Sequence, residues 1–270
     1  MEPVYDSVIT FARGMFAAQG LKFTVTGSEN VPRVGGAVLV MNHVGYLDFT
    51  YAGLGARPAK RLVRFMAKQE VFEHPVAGPL MRGMHHIPVD RAAGAGSYHS
   101  AVEALRAGEI IGVFPEATIS RSFELKGFKS GAARMAAEAG VPLLPMIIWG
   151  SQRVWTKGHP KRLGRTNTPI HIDIEPPVSA EGNPAAVTKQ LHTQMSAQLE
   201  KVRAAYPEHP KGAFWVPASL GGGAPTLEDA EALDREETKA KVAARRAKME
   251  ELRKKGKLPP TIAPAPSSDA

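Results

Sequence analysis

Asn42-His43-Val44-Gly45-Tyr46-Leu47-Asp48 is the segment of this 270-residue chain whose residue types and spacing could best do chemistry. A histidine and an aspartate five residues apart can act as a general base and the carboxylate that orients it. The carboxylate would hold the ring through Nδ1–H, leaving Nε2 to take a proton from a substrate hydroxyl. That hydroxyl is then the attacking group, so no serine nucleophile is needed. The same spacing recurs in His85-His86-Ile87-Pro88-Val89-Asp90. If residues 86–89 are extended, His85 and Asp90 stand roughly 16 Å apart on opposite faces, at about 3.3 Å per residue. Gly45 in the first pair instead permits a tight turn that folds Asp48 back towards the ring. By itself this pair fits a hydrogen-bonded structural histidine as well as a catalytic one.

Three further clusters carry chemistry or line it. Arg91 follows Ile87-Pro88-Val89-Asp90, and its planar fork suits a phosphate, although pairing with Asp90 on the surface is the simpler reading. In Phe114-Pro115-Glu116-Ala117-Thr118, Glu116 could contact substrate hydroxyls or orient a basic group. Ser120, Arg121, Ser122, Lys126 and Lys129 follow in a polar, basic loop fit for a phosphate or an anionic carrier, or simply solvated. Val141-Pro142-Leu143-Leu144-Pro145 reads as a strand entry that could also line an acyl pocket.

The elements that must position these groups follow from apolar spacing. Residues 22–26, 35–41, 62–67, 86–89, 110–114, 143–149 and 170–174 read as strands, the clean alternation of the last (IHIDI) fitting a later or edge strand. Residues 3–19, 98–107, 131–139 and 187–204 have helical spacing. A helix starting after Tyr46 is expected to break at Gly53 and Gly55. Strands alternating with helices predict one α/β domain with a mostly parallel, buried sheet flanked by helices, a sheet type that places active sites at strand ends. The expected organisation is an amphipathic helix at 1–19, a body at 20–217, and a linker, charged helix and Pro/Ala/Ser-rich end at 218–270. The first helix fits packing on the domain and lying on a membrane surface equally.

Composition bounds the rest. Hydrophobic residues are 43% and charged residues 22%, ordinary globular usage. Cysteine is absent, which excludes disulfides, a thiol nucleophile and thiolate metal sites. The longest apolar stretch, 139–151, contains two prolines and is too short to span a bilayer. No secretory leader is expected from the N-terminal residues. The net charge is +8; residues 224–270 hold 10 basic and 9 acidic residues, so the body carries most of the excess. Such a field attracts anionic lipid or phosphorylated molecules; nucleic acid is the weaker reading, since no binding motif accompanies the charge.

The four clusters, in this order, resemble the blocks of the glycerolipid acyltransferase family, whose best-known members are the 1-acyl-glycerol-3-phosphate acyltransferases. The resemblance spans about residues 20–205. It implies that His43 is the general base and Asp48 its orienter, in transfer of an acyl group from coenzyme A or acyl-carrier protein to a lysophospholipid hydroxyl. Asn42, Arg91, Glu116, Thr118 and Arg121 are the implied substrate-binding residues, Arg91 for the acceptor phosphate. No metal or cofactor is implied. The third block departs from the family's Phe-Pro-Glu-Gly-Thr-Arg: its Gly is Ala117 and its Arg is Ile119. Either Arg121 supplies the missing cation or the acceptor is not lysophosphatidic acid. The expected location is cytoplasmic, peripherally bound to the inner face of the membrane. The alternative is a non-catalytic lipid- or carrier-binding protein on the same fold.

Overall fold

The computed structural model describes residues 2–89 and 94–255. The chain opens with α1 (Pro3–Ala18), β1 (Lys22–Thr26), β2 (Ala37–Met41) and α2 (Asp48–Ala56). There follow β3 (Val63–Lys68), α3 (Gln69–Glu73), α4 (Ala77–Gly83), β4 (Ile87–Val89) and α5 (Gly94–Arg106). The body continues with β5 (Ile110–Val113), α6 (Gly131–Ala139), β6 (Leu143–Trp149), β7 (Pro169–Ile174) and α7 (Pro184–Ala204). The chain divides into two compact units, Met1–Ala224 and Pro225–Ala270. The second unit is described as one 28-residue helix, α8 (Leu227–Lys254), laced by Glu–Lys and Glu–Arg pairs four residues apart.

In the first unit the seven strands form one sheet in the order β1-β7-β6-β2-β5-β3-β4. Every pairing is parallel except β6 with β7, which is antiparallel. The central strands β2, β5 and β6 are apolar on both faces because both faces are covered. Along β2 the alternation is visible residue by residue. Val38 and Val40 pack with α5, α6 and α7, whereas Ala37, Leu39 and Met41 pack on the opposite side with α1 and α2. Burial of each Val, Leu or Met contributes about 1.5–3 kcal/mol, so the centre of the sheet is its most strongly held part.

One expectation needs correction. α2 runs unbroken through Gly53 and Gly55. A Cβ at Gly55 would come within 3.0 Å of the Ile172 and Met146 side chains, so the missing side chain brings this helix close to the sheet. Of the two alternatives for residues 170–174, the later strand holds: β7 is the last in the chain and lies one position in from the edge, with β1 outside it.

α1 is docked on the body. Tyr5 and Phe16 are buried, the Tyr5 hydroxyl donates to the Val63 carbonyl at 2.7 Å, and Arg64 binds both Glu2 (2.7 Å) and Glu109 (3.1 Å). The opposite side of the helix leaves Phe11 74% exposed. Among the described residues no helix is long and apolar enough to cross a membrane.

Candidate active site

β2 lies between β5 and β6, and all three run in the same direction. The loops leaving their carboxyl ends therefore meet at one edge of the sheet, where open α/β sheets bind ligands. His43 and Asp48 leave β2, Glu116 to Ser120 leave β5, and Ser151 to Thr156 leave β6.

The turn after β2 closes on the Asp48 carboxylate. Its Oδ2 lies 3.0 Å from His43 Nδ1 and accepts the backbone N–H groups of Val44 and Gly45, both at 2.8 Å. An oxygen that accepts from two amides must also be the acceptor towards the ring, so the proton sits on Nδ1 and Nε2 is left basic. Asp48 is fully buried, while the His43 side chain is 20% exposed. The imidazole stacks on the Phe114 ring, with centroids 4.1 Å apart and planes 23° from parallel. The ring is thus fixed in plane and in tautomer, with one edge open. This arrangement can draw a proton from a hydroxyl and hold the imidazolium that results.

The loop after β5 grips the main chain of His43. Glu116 Oε1 accepts the His43 N–H at 2.9 Å, its Oε2 accepts the Lys126 N–H at 3.1 Å, and the Ser120 N–H donates to the His43 carbonyl at 2.8 Å. Burial pushes the Glu116 carboxyl up to about 8, against the pull of these two N–H groups and the Lys126 ammonium. Glu116 therefore holds the turn from behind. Thr118 is exposed and accepts a hydrogen bond from the Lys126 ammonium. Ala117 adopts φ +63°, a left-handed conformation that glycine takes without strain. Ile119 is buried and takes no part at the surface. Arg121 is half-buried beside the next loop: a Cβ on Gly158 would lie 2.8 Å from its guanidinium.

The loop after β6 supplies groups that the sequence reading missed. Ser151 donates its hydroxyl hydrogen to Asp48 Oδ1. Thr156 Oγ1 donates to the Val44 carbonyl at 2.6 Å, and the Tyr46 N–H donates to the Trp155 carbonyl at 2.9 Å. The Tyr46 and Trp155 rings meet at 4.7 Å. The one signal in the sequence is a small polar residue directly after an apolar strand, which gains meaning only once β6 is known to adjoin β2.

Asn42 is not placed to touch a substrate. It is buried, and its amide both donates to the Ile148 carbonyl (3.0 Å) and accepts the Ile148 N–H (2.8 Å), stitching β2 to β6. Val141 to Pro145 form the entry to β6, with Leu143, Leu144 and Pro145 buried in the sheet. Arg91 and Asp90 lie outside the described residues. His85 is exposed, 3.8 Å from Glu2. A narrow apolar cleft with a cavity volume of about 60 Å³ lies between α1 and α2; Val8, Phe16, Phe49, Thr50, Leu54 and Phe65 are among its walls. Among the described residues no group of three or more His, Cys, Asp or Glu side chains could hold a metal ion.

The acyltransferase family model matches residues 22–149. The chain is 30% identical over 182 residues to the 1-acyl-sn-glycerol-3-phosphate acyltransferase of Bacillus subtilis (strain 168), covering 66% of this chain and 88% of that protein. It is 26% identical over 194 residues to the protein of the same name from Borreliella burgdorferi, covering 68% and 74% of the two chains. The crystal structure of the 1-acyl-sn-glycerophosphate (LPA) acyltransferase PlsC from Thermotoga maritima shares this fold with a TM-score of 0.63 at 25% identity. That likeness covers 75% of this chain and 81% of the other.

Proposed function

The chain belongs to the acyltransferase family, and we propose that it moves a fatty acyl group from coenzyme A or acyl-carrier protein to the free hydroxyl of 1-acyl-glycerol-3-phosphate. It is an O-acyltransferase of glycerolipid synthesis, which sets aside a purely binding role. The observation that carries the detailed reading is the His43 Nδ1–Asp48 Oδ2 contact of 3.0 Å around a fully enclosed carboxylate.

In this mechanism the acceptor hydroxyl donates to His43 Nε2. As its oxygen bonds to the thioester carbonyl carbon, the proton passes to the ring and Asp48 stabilises the imidazolium. The tetrahedral intermediate then expels the thiolate, which takes the proton back from His43. Ester and free thiol leave, and the enzyme is unchanged. Glu116 acts as a positioning group for the His43 main chain. Thr118, Lys126 and Arg121 line the side from which a phosphorylated acceptor would approach. Access to a lipid acceptor comes through a membrane surface, met by the exposed side of α1 and the basic body.

Thiol release from palmitoyl-CoA, measured with and without lysophosphatidate, tests the reading. Release that depends on the acceptor supports it. Release at the same rate without acceptor, or none with any lysophospholipid, overturns it.

A further inference from the structure

Arg203 belongs to α7, and its side chain is 3% exposed. A buried guanidinium is costly unless its hydrogens find acceptors, and the loop after β5 supplies them. Nη1 donates to Glu124 Oε2 at 2.8 Å, and Nη2 donates to the Phe123 carbonyl at 2.6 Å. The guanidinium carbon lies 4.7 Å from the ring centroid of Trp149, a fully buried side chain at the end of β6. The cation is thus seated against the sheet while its fork grips a loop. A further partner, Glu200 at 2.9 Å, belongs to α7 itself and is 65% exposed.

The gripped segment leads directly to the site. Phe123 is buried at φ +60°, a left-handed conformation that a bulky residue holds only where its surroundings impose it. Its carbonyl is the one that Arg203 binds. The carbonyl of the next residue, Glu124, accepts the Ser120 hydroxyl at 2.7 Å. With its single hydrogen committed there, Ser120 Oγ accepts from the Ser122 hydroxyl at 3.1 Å. The Ser120 N–H in turn donates to the His43 carbonyl. Two residues past Glu124, the Lys126 N–H binds the Glu116 carboxylate, whose other oxygen accepts the His43 N–H. Both main-chain polar groups of His43 are therefore held by the loop that Arg203 holds. Arg203 is not what keeps α7 on the sheet, since Val187, Leu191, Met195, Leu199 and Val202 bury the helix in the core.

We propose that Arg203 is a positioning residue, fixing residues 120–126 so that Ser120 and Glu116 hold the His43 main chain and Thr118 and Lys126 keep their place. The proposal rests on the acyl-transfer reading of His43 and Asp48, and Arg203 acts on that site only through the loop. Coupling carried by such a packed, hydrogen-bonded chain changes the behaviour of a remote site by about 2–30-fold.

The test compares the full-length wild-type protein with Arg203→Met, which keeps the length of the side chain without its charge, and with Arg203→Lys, Glu124→Gln and Glu200→Gln. Thermal melts establish which variants are folded. KM and kcat are measured for palmitoyl-CoA and lysophosphatidate, and backbone hydrogen exchange is followed by mass spectrometry. Arg203→Met should raise KM for lysophosphatidate by about 3–10-fold and lower kcat by about tenfold, while KM for palmitoyl-CoA stays within about twofold. A loss of stability alone would lower kcat and move neither KM. Arg203→Lys should recover part of both effects. Glu124→Gln should follow Arg203→Met more weakly. Glu200→Gln removes an exposed partner from the same guanidinium without touching the loop, and should match the wild type. Exchange over residues 118–126 should quicken in Arg203→Met and stay unchanged in Glu200→Gln. Unchanged kinetics and exchange in Arg203→Met, an equal rise in both KM values, or a Glu200→Gln enzyme as impaired as Glu124→Gln would overturn the proposal. If Arg203→Met does not fold, the other three variants decide it by the same criteria. Faster exchange at 118–126, in a protein whose wild type transfers no acyl group, would overturn the acyl-transfer reading and leave the clamp on the loop standing.

Discussion

Ser151 donates its hydroxyl hydrogen to Oδ1 of Asp48, the carboxylate oxygen that His43 does not use. Oδ2 meanwhile receives Nδ1–H and two backbone amides. Every face of the buried carboxylate is occupied, and it has no freedom to rotate away from the ring. The β6 loop thereby sets the orientation of a base carried by the β2 loop.

Ser151→Ala should lower kcat by on the order of 10–100-fold, the range lost when partners of a histidine–carboxylate pair are removed at metal sites. KM for both substrates should hold, because Ser151 is buried and touches neither. Ser151→Thr, which restores a hydroxyl, should recover part of the rate. A full-rate Ser151→Ala enzyme would show that the turn alone orients Asp48.

Ala117 sits at φ +63°, where an alanine pays about 1–2 kcal/mol in backbone strain. Glycine would relieve that strain but costs about 0.5–1 kcal/mol in chain entropy. Ala117→Gly should therefore stabilise the fold slightly, by about 0.5–1 kcal/mol in denaturant unfolding. A destabilised variant would mean that the methyl group makes contacts that outweigh the strain.

Phe11 projects from the docked helix with most of its ring exposed. Phe11→Ser should weaken pelleting with anionic vesicles and leave the melting temperature unchanged. Removing residues 1–18 is a different perturbation: it strips Glu2 from the buried Arg64 and takes away the buried Tyr5 and Phe16 side chains. Vesicle binding that survives Phe11→Ser would place the membrane contact on another surface.

The central strand, the turn chemistry of Gly45 and the His43–Asp48 pair were legible in the sequence because each depends on neighbours close in the chain. What could not be read depends on which strands adjoin. Ser151 and Asp48 are 103 residues apart and meet only because β6 pairs with β2. The same pairing turns Asn42 from an expected substrate contact into a strand clamp on Ile148. Gly55 reads as a helix breaker along the chain, but packing against Ile172 and Met146 keeps it helical. For Glu116 the sequence leaves open contact with substrate hydroxyls or the orienting of a basic group, and its oxygens accept the N–H groups of His43 and Lys126, which only the adjoining of β5 and β2 brings within reach.

His86 gives the fold a pH dependence. Burial, with the Arg64 charge beside it, pulls its pKa down to about 4, and its Nδ1 accepts the Phe65 N–H at 3.1 Å. The unfolded chain binds this proton near pH 6.5 and the folded chain near 4, so the contribution is complete above 6.5 and is lost as pH falls to 4. The loss is at most ~3 kcal/mol. His86→Asn keeps an acceptor in place of Nδ1 without titrating, and should melt with a shallower drop between those pH values than the wild-type protein. An equal drop would assign the dependence to other groups.

The central claim is that His43 is the base and Asp48 its orienter. The most direct test is kcat for acyl transfer from palmitoyl-CoA to lysophosphatidate in His43→Ala, Asp48→Asn and His85→Ala, each with a matched thermal melt. His43→Ala should lose about 10²–10⁴-fold, the contribution typical of a general base, with a native-like melt. Asp48→Asn should also be severely impaired, since it keeps the shape and removes the charge that stabilises the imidazolium, while His85→Ala should stay close to wild type. A folded, active His43→Ala enzyme beside an inactive His85→Ala enzyme would contradict the account.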